Sequence, residues 1–184
     1  SKPSSSSCFP GHALVELESG LHRRMDQLLV GDRVKVAERT FSDVFMFTHK
    51  LHNAVATFVI IHTTSGHSIS LTLGHYIYVN GVLTSASSVK IGDELELSTG
   101  ARDTVDSVSE TVETGLFNPQ TLHGDIAVNG IIASTYTTAV SPVLGHAWLT
   151  PLRMVYSALG STSVLLENGA EFAASMLPGG SATY

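Results

Sequence analysis

A second cysteine is missing from this chain. Cys8 stands alone, so an internal disulfide and a cysteine-rich zinc site are both excluded, and cysteine usage carries no information on redox compartment. Charge is scarce as well: 14% of residues are charged, the formal net charge is -6 and no basic run occurs. The electrostatic footprint of a nucleic-acid binder is therefore absent, and neither DNA nor RNA is an expected partner. No stretch approaches the roughly 20 uninterrupted apolar residues of a spanning helix. The first seven residues, rich in serine from Ser1 to Ser7, lack the apolar segment of a signal peptide and read as a linker left from an upstream domain of a longer precursor.

Short extended runs rich in Val, Ile, Thr and aromatics are there in number: 12–18, 33–37, 44–47, 54–63, 67–72, 76–79, 93–97 and 125–133. Turn signals bound them, among them Ser19-Gly20, Ser65-Gly66, Asn80-Gly81 and Asn129-Gly130, which is the pattern of an all-β domain with hairpins. Two segments, 25–29 and 85–89, are each expected to make a helical turn. With 184 residues, 43% of them hydrophobic, one compact unit is expected.

The chain also repeats itself. Leu29-Val30-Gly31-Asp32-Arg33-Val34-Lys35-Val36 matches Lys90-Ile91-Gly92-Asp93-Glu94-Leu95-Glu96-Leu97. Upstream, Gly11-His12-Ala13-Leu14-Val15 matches Gly74-His75-Tyr76-Ile77-Tyr78. Each Gly-Asp pair is expected to turn the chain into a strand, the Asp bonding its own downstream backbone. Two such β units related by a pseudo-twofold axis would bring Cys8 near His75. From Pro151 onwards the texture changes to Leu, Met, Val, Ala and Phe with few charges, consistent either with short apolar helices docked on the β core or with an apolar binding element.

Cys8 lies where the polar tail meets the first patterned strand, so it is expected to be partly exposed, as reactive cysteines are. Attack of its thiol on the preceding carbonyl would form a five-membered ring at small entropic cost. The reaction also needs a general acid for the departing amide nitrogen and donors for the oxyanion. Thr72-Leu73-Gly74-His75 offers a hydroxyl and an imidazole converging across a glycine bend, with His75 as the acid and Thr72 as a residue that holds and polarises the scissile peptide.

Cys8-Phe9-Pro10-Gly11, then 13–20, Leu29 to Val34, Thr72 to His75, Val128 to Tyr136, Leu144-Gly145-His146 and Pro151-Leu152-Arg153 together resemble the Hedgehog C-terminal autoprocessing (Hog) domain of the Hint (Hedgehog/intein) superfamily. The likeness runs in order from Cys8 to Met154. It implies an all-β Hint fold over 8–150, with 151–184 in the place of the sterol-recognition segment. It further implies a two-step reaction. Cys8, Thr72 and His75 convert the Ser7-Cys8 amide to a thioester, and a sterol or similar lipid alcohol then takes the upstream segment, which is a partner in cis. Maturation in the secretory pathway follows from the same likeness. The domain is expected to act as a monomer, with membrane-surface contact through 151–184 if any.

Three departures stand out. Where the family has an aspartate that activates the sterol hydroxyl, after a strand matching Val44-Phe45-Met46-Phe47-Thr48, this chain has His49. Either His49 is the base, which its ordinary pKa near 6.5 suits, or it is a loop histidine beside His52 and another nucleophile such as water resolves the thioester. Ser7 replaces the usual glycine, and Thr135 falls where relatives often carry a second cysteine; a packed strand residue is the expectation there. Intein-type splicing is disfavoured, since 131–135 lacks a His-Asn pair. The remaining histidines show no metal-ligand spacing, and no cofactor is expected, although zinc bridging Cys8 and His75 or His49 would inhibit. Trp148 and Phe172 are expected to pack in the core or line an acceptor pocket. An inert Cys8 in a pseudo-symmetric β binding module is the competing reading.

Overall fold

A computed structural model describes residues 7–136 together with Met154 and Ser157. The readings made for residues 1–6, Trp148, Phe172 and the 151–184 segment lie outside the described residues, apart from those two positions.

Eleven strands form along the described chain: β1 Leu14–Glu16, β2 His22–Arg24, β3 Arg33–Ala37, β4 Thr40–Thr63, β5 Ser68–Leu71, β6 Tyr76–Val79, β7 Val82–Ser85, β8 Glu94–Glu96, β9 Arg102–Thr121, β10 Asp125–Val128 and β11 Ile131–Ser134. Single 3-10 turns at Met25–Gln27 and Ala86–Ser88 account for the two segments expected to be helical. The pairing is antiparallel throughout, in the order β10-β11-β6-β8-β9-β4-β3, with β5 on β4, β7 on β6 and a separate β1-β2 ribbon. Period-2 patterning explains the local choices: in β3, Val34 and Val36 are buried while Arg33 is exposed. The hairpin turns behave as their residues require. Asn80-Gly81 and Asn129-Gly130 both have positive φ at the two central positions, the type I′ signature that joins β6 to β7 and β10 to β11.

The expected duplication is visible in the hydrogen bonds. Gly31 N–H donates to Val44 C=O at 2.8 Å and Gly92 N–H to Val105 C=O at 2.9 Å. The Asp32 carboxylate accepts from Leu29 N–H at 2.8 Å, and Asp93 accepts from Lys90 N–H at 2.8 Å. Each carboxylate thus caps the amide three residues upstream, not downstream as expected. The upstream match also shifts. Met25 N–H donates to Ala13 C=O where Ala86 N–H donates to His75 C=O, so the counterpart of His75 is Ala13 and not His12. In extended chain a slip of one residue reverses the face: His12 is on the surface, bonded to Glu113 at 2.5 Å, while His75 is fully buried.

Two features escaped the sequence reading. The runs 44–47 and 54–63 are parts of one long, bulged strand, β4, and its partner β9 was not foreseen at all. Together they form the spine against which the N-terminal segment docks.

Candidate active site

Ser7, Cys8 and Phe9 are inserted between two parts of the sheet. Phe9 exchanges backbone hydrogen bonds with Phe117 of β9 at 2.8 and 3.0 Å. Cys8 faces the opposite edge, its N–H donating to Thr72 Oγ1 at 2.8 Å and its C=O accepting from Thr72 N–H at 3.0 Å. This alternation is that of an added strand. Gly115 makes the approach possible, since a Cβ there would fall 2.7 Å from Gly11 N. All three inserted residues have 0% exposure. Two expectations are corrected: Cys8 is not partly exposed, and Ser7 belongs to the packed domain instead of a linker. Burial of Phe9, worth roughly 1.5–3 kcal/mol for a side chain of this size, anchors the segment.

Thr72 and His75 converge on Cys8 as expected, because the turn between them closes through His75 N–H to Thr72 C=O at 3.0 Å. The His75 ring packs 4.3 Å from that of Phe9. Its Nε2 lies 2.6 Å from Ser134 C=O, and a carbonyl can only accept, so Nε2 carries the proton and Nδ1 is the bare nitrogen. That Nδ1 is buried without a hydrogen-bond partner. Burial lowers the pKa of His75 to about 4, opposed in part by the Ser134 and Cys8 backbone. The imidazole is neutral at neutral pH.

His49 lies within β4, not in a loop. Its partner across the ladder is Asn118, which follows Phe117, the partner of Phe9. The register therefore carries the row Cys8, Asn118, His49 across three adjacent strands. Burial lowers the pKa of His49 too. Asn118, fully buried, donates from Nδ2 to Thr135 C=O at 3.2 Å. Gln120 donates to the same carbonyl at 2.6 Å and to Thr48 Oγ1 at 3.3 Å. Thr135 is a packed residue just past β11, its hydroxyl donating to Gly124 C=O at 3.0 Å.

Among the described residues, four buried side-chain polar atoms have no hydrogen-bond partner: Ser7 Oγ, His49 Nδ1, His75 Nδ1 and Asn118 Oδ1. Such atoms are rare in folded proteins and each calls for an explanation. Here they belong to the residues at the Ser7-Cys8 bond and to the row beside it. Asn118, Gln120 and the Ser134 carbonyl were not foreseen. The only sequence signal for Asn118 is a polar residue flanked by Phe117 and Pro119. His67, Ser65 and Asp103 form a separate cluster, with His67 Nδ1 at 3.3 Å from Asp103. It fastens the β4–β5 turn, and hydrogen bonds from Ser65, Thr63, Thr64 and His67 hold the Asp103 pKa low against its burial. No group of three metal-ligating side chains occurs among the described residues.

This architecture is that of the Hint fold shared by self-processing inteins. The gp41-1 intein superposes with a TM-score of 0.62 at 15% identity, covering 70% of this chain and 99% of the intein. A bacterial intein-like domain from Clostridium thermocellum gives 0.57 at 17% identity, covering 70% and 98%. At the level of sequence, the Hint module family matches residues 2–177, and the chain belongs to that family. Warthog protein 6 of Caenorhabditis elegans is 36% identical over 71% of this chain and 24% of its own length. Indian hedgehog B protein of Danio rerio is 30% identical over 94% of this chain and 47% of its own length. The chain thus spans less than half of each of these relatives.

Proposed function

We propose that the domain cuts its own Ser7-Cys8 bond through a thioester and passes the upstream segment to a sterol or similar lipid alcohol. The observation that carries this reading is the insertion of Cys8 between Thr72 and β9 with the unpaired His75 Nδ1 in the same buried site. Neutral His75 takes the thiol proton at Nδ1 while Sγ attacks the Ser7 carbonyl. The resulting imidazolium, with a pKa of about 4, is a strong acid and delivers that proton to the Cys8 nitrogen as the C–N bond breaks. His75 therefore serves as the acid only after serving as the base. Thr72 Oγ1 holds the scissile N–H and so fixes the peptide plane during attack. In the second step His49 takes the proton of the attacking hydroxyl, and 151–184 supply the apolar surface that receives the sterol. Kinship with hedgehog and warthog proteins supports this second step and maturation in the secretory pathway.

The test is a precursor carrying a native upstream segment, incubated with and without dithiothreitol and followed by intact mass. Thiol-dependent release from wild type and none from Cys8→Ala is the expected result. No release from wild type returns Cys8 to the role of an inert core residue in a β binding module. With sterol present, the released fragment gains the sterol mass; a fragment ending in a free acid instead identifies hydrolysis. His49→Ala is expected to keep thiol cleavage and lose sterol attachment.

A further inference from the structure

Asn118 has no part in the steps above, yet it is the residue placed to control His49. The two are directly paired across the β4–β9 ladder, and each has one buried polar atom without a partner, Oδ1 of Asn118 and Nδ1 of His49. The amide orientation is fixed. Its Nδ2 points to the Thr135 carbonyl, which can only accept, so Oδ1 is an acceptor on the other side. Side chains paired in this way share a face with their Cβ atoms about 4.5–5.5 Å apart. Oδ1 and Nδ1 each lie two bonds beyond Cβ; they are not bonded to each other in this structure, and with the Asn118 amide held by Thr135, rotation of the His49 ring about its soft χ2 is the movement that would join them. An amide is not needed at 118 to hold Thr135, because Gln120 binds the same carbonyl at the shorter distance of 2.6 Å.

We propose that Asn118 is a positioning residue for the second step: its Oδ1 accepts from Nδ1–H of His49 and fixes the tautomer whose bare Nε2 faces the attacking hydroxyl. The inference rests on the reading of His49 as the base. The hydroxyl oxygen bonds to the Ser7 carbonyl carbon and the C–S bond breaks. The hydroxyl proton passes to Nε2 and then to the Cys8 thiolate. Throughout, Nδ1–H stays on Asn118, so the imidazolium is stabilised where it forms. Flanking titratable groups are Cys8 in the neighbouring segment and Lys50 and His52 along β4, with the Lys50 ammonium seated over the Phe47 ring at 4.6 Å.

The experiment compares wild-type precursor with Asn118→Ala, Asn118→Asp and His49→Ala. Three releases are followed by intact mass: by dithiothreitol, by cholesterol in detergent micelles, and by water alone. Asn118→Ala is expected to keep dithiothreitol cleavage within about twofold and to slow release by hydroxyl nucleophiles about tenfold, the effect of one lost hydrogen bond in the transition state. The cholesterol and water arms separate the two sources of the hydroxyl. Asn118→Asp is expected to restore release and to move its pH profile upward, because a carboxylate on Nδ1 raises the pKa of His49; a merely structural role for the amide would leave that profile in place. Unchanged hydroxyl release in Asn118→Ala, or an equal loss of dithiothreitol cleavage, overturns the inference while leaving His49 as the base. Equal release from His49→Ala and wild type removes the base itself and the inference with it.

Discussion

The two halves of the duplicated frame share their backbone bonds but not their chemistry. Pro10 and Ala13 in the first half occupy the positions of Thr72 and His75 in the second, with Ala13 N–H to Pro10 C=O at 3.3 Å matching His75 N–H to Thr72 C=O at 3.0 Å. The turn is therefore common to both halves, whereas the hydroxyl and imidazole occur at these positions in the second half alone. What the first half contributes instead is the buried Ser7-Cys8 segment on which the proposed cleavage falls. The duplication acts as an internal control: residues alike in both halves, such as Asp32 and Asp93, belong to the frame, and the proposed reaction draws on Thr72 and His75, which the first half replaces by Pro10 and Ala13.

That division has measurable consequences. The largest is expected for His75→Ala, which should slow dithiothreitol cleavage of a precursor by about 10²–10⁴-fold, while Ala13→Ser leaves it unchanged; intact-mass kinetics decide. Next is the dependence of stability on pH. His75 stays neutral in the folded chain down to about pH 4, but its unfolded value is near 6.5. Between those limits the unfolded state binds the extra proton, so stability falls as pH is lowered from 6.5 to 4, by roughly 3 kcal/mol for this group. Urea titrations at several pH values should show the slope, and His75→Ala should reduce it, leaving the part due to His49. Thr72→Val, which removes the acceptor of the Cys8 N–H, is expected to slow cleavage about tenfold. The smallest effects fall on the frame. Asp93→Ala should cost about 1 kcal/mol and Asp32→Ala about 1–2 kcal/mol, because Asp32 also accepts two hydrogen bonds from Arg23 at 2.7 and 2.8 Å. Neither should alter the cleavage rate of folded protein, so a specific kinetic defect in Asp93→Ala would erase the distinction between frame and reaction.

How far this was legible depends on what each residue packs against. Hairpin turns were readable because Asn-Gly pairs declare their positive φ, and the Gly-Asp turns because both copies keep the same residues. The nearness of Cys8 and His75 followed from the repeat, and that of Thr72 from its spacing to His75 across Gly74. β9 was hidden since its middle, 106–114, has no buried residue and is dominated by Asp, Ser, Glu and Thr, and its buried end contains Pro119, a residue uncommon inside a sheet, which here sits at a bulged register opposite Phe47. The burial of Cys8 was misjudged because a serine-rich approach looks solvated, yet Ser7 is drawn inside by the pairing of Phe9 with Phe117. Asn118 could not be singled out beforehand, because its meaning comes from cross-strand neighbours about 70 positions earlier in the chain.

The lodging of residues 7–9 as a sheet element bears on how often the domain can act. A bond woven into the fabric cannot be exchanged for a fresh one from solution, since removing it would mean unpicking Phe9 from the core. Under the proposed reaction the module would thus resemble a fuse more than a machine. Supplying the cut segment as a separate peptide would require the peptide to complete the sheet first, so foldedness and reactivity would be restored together.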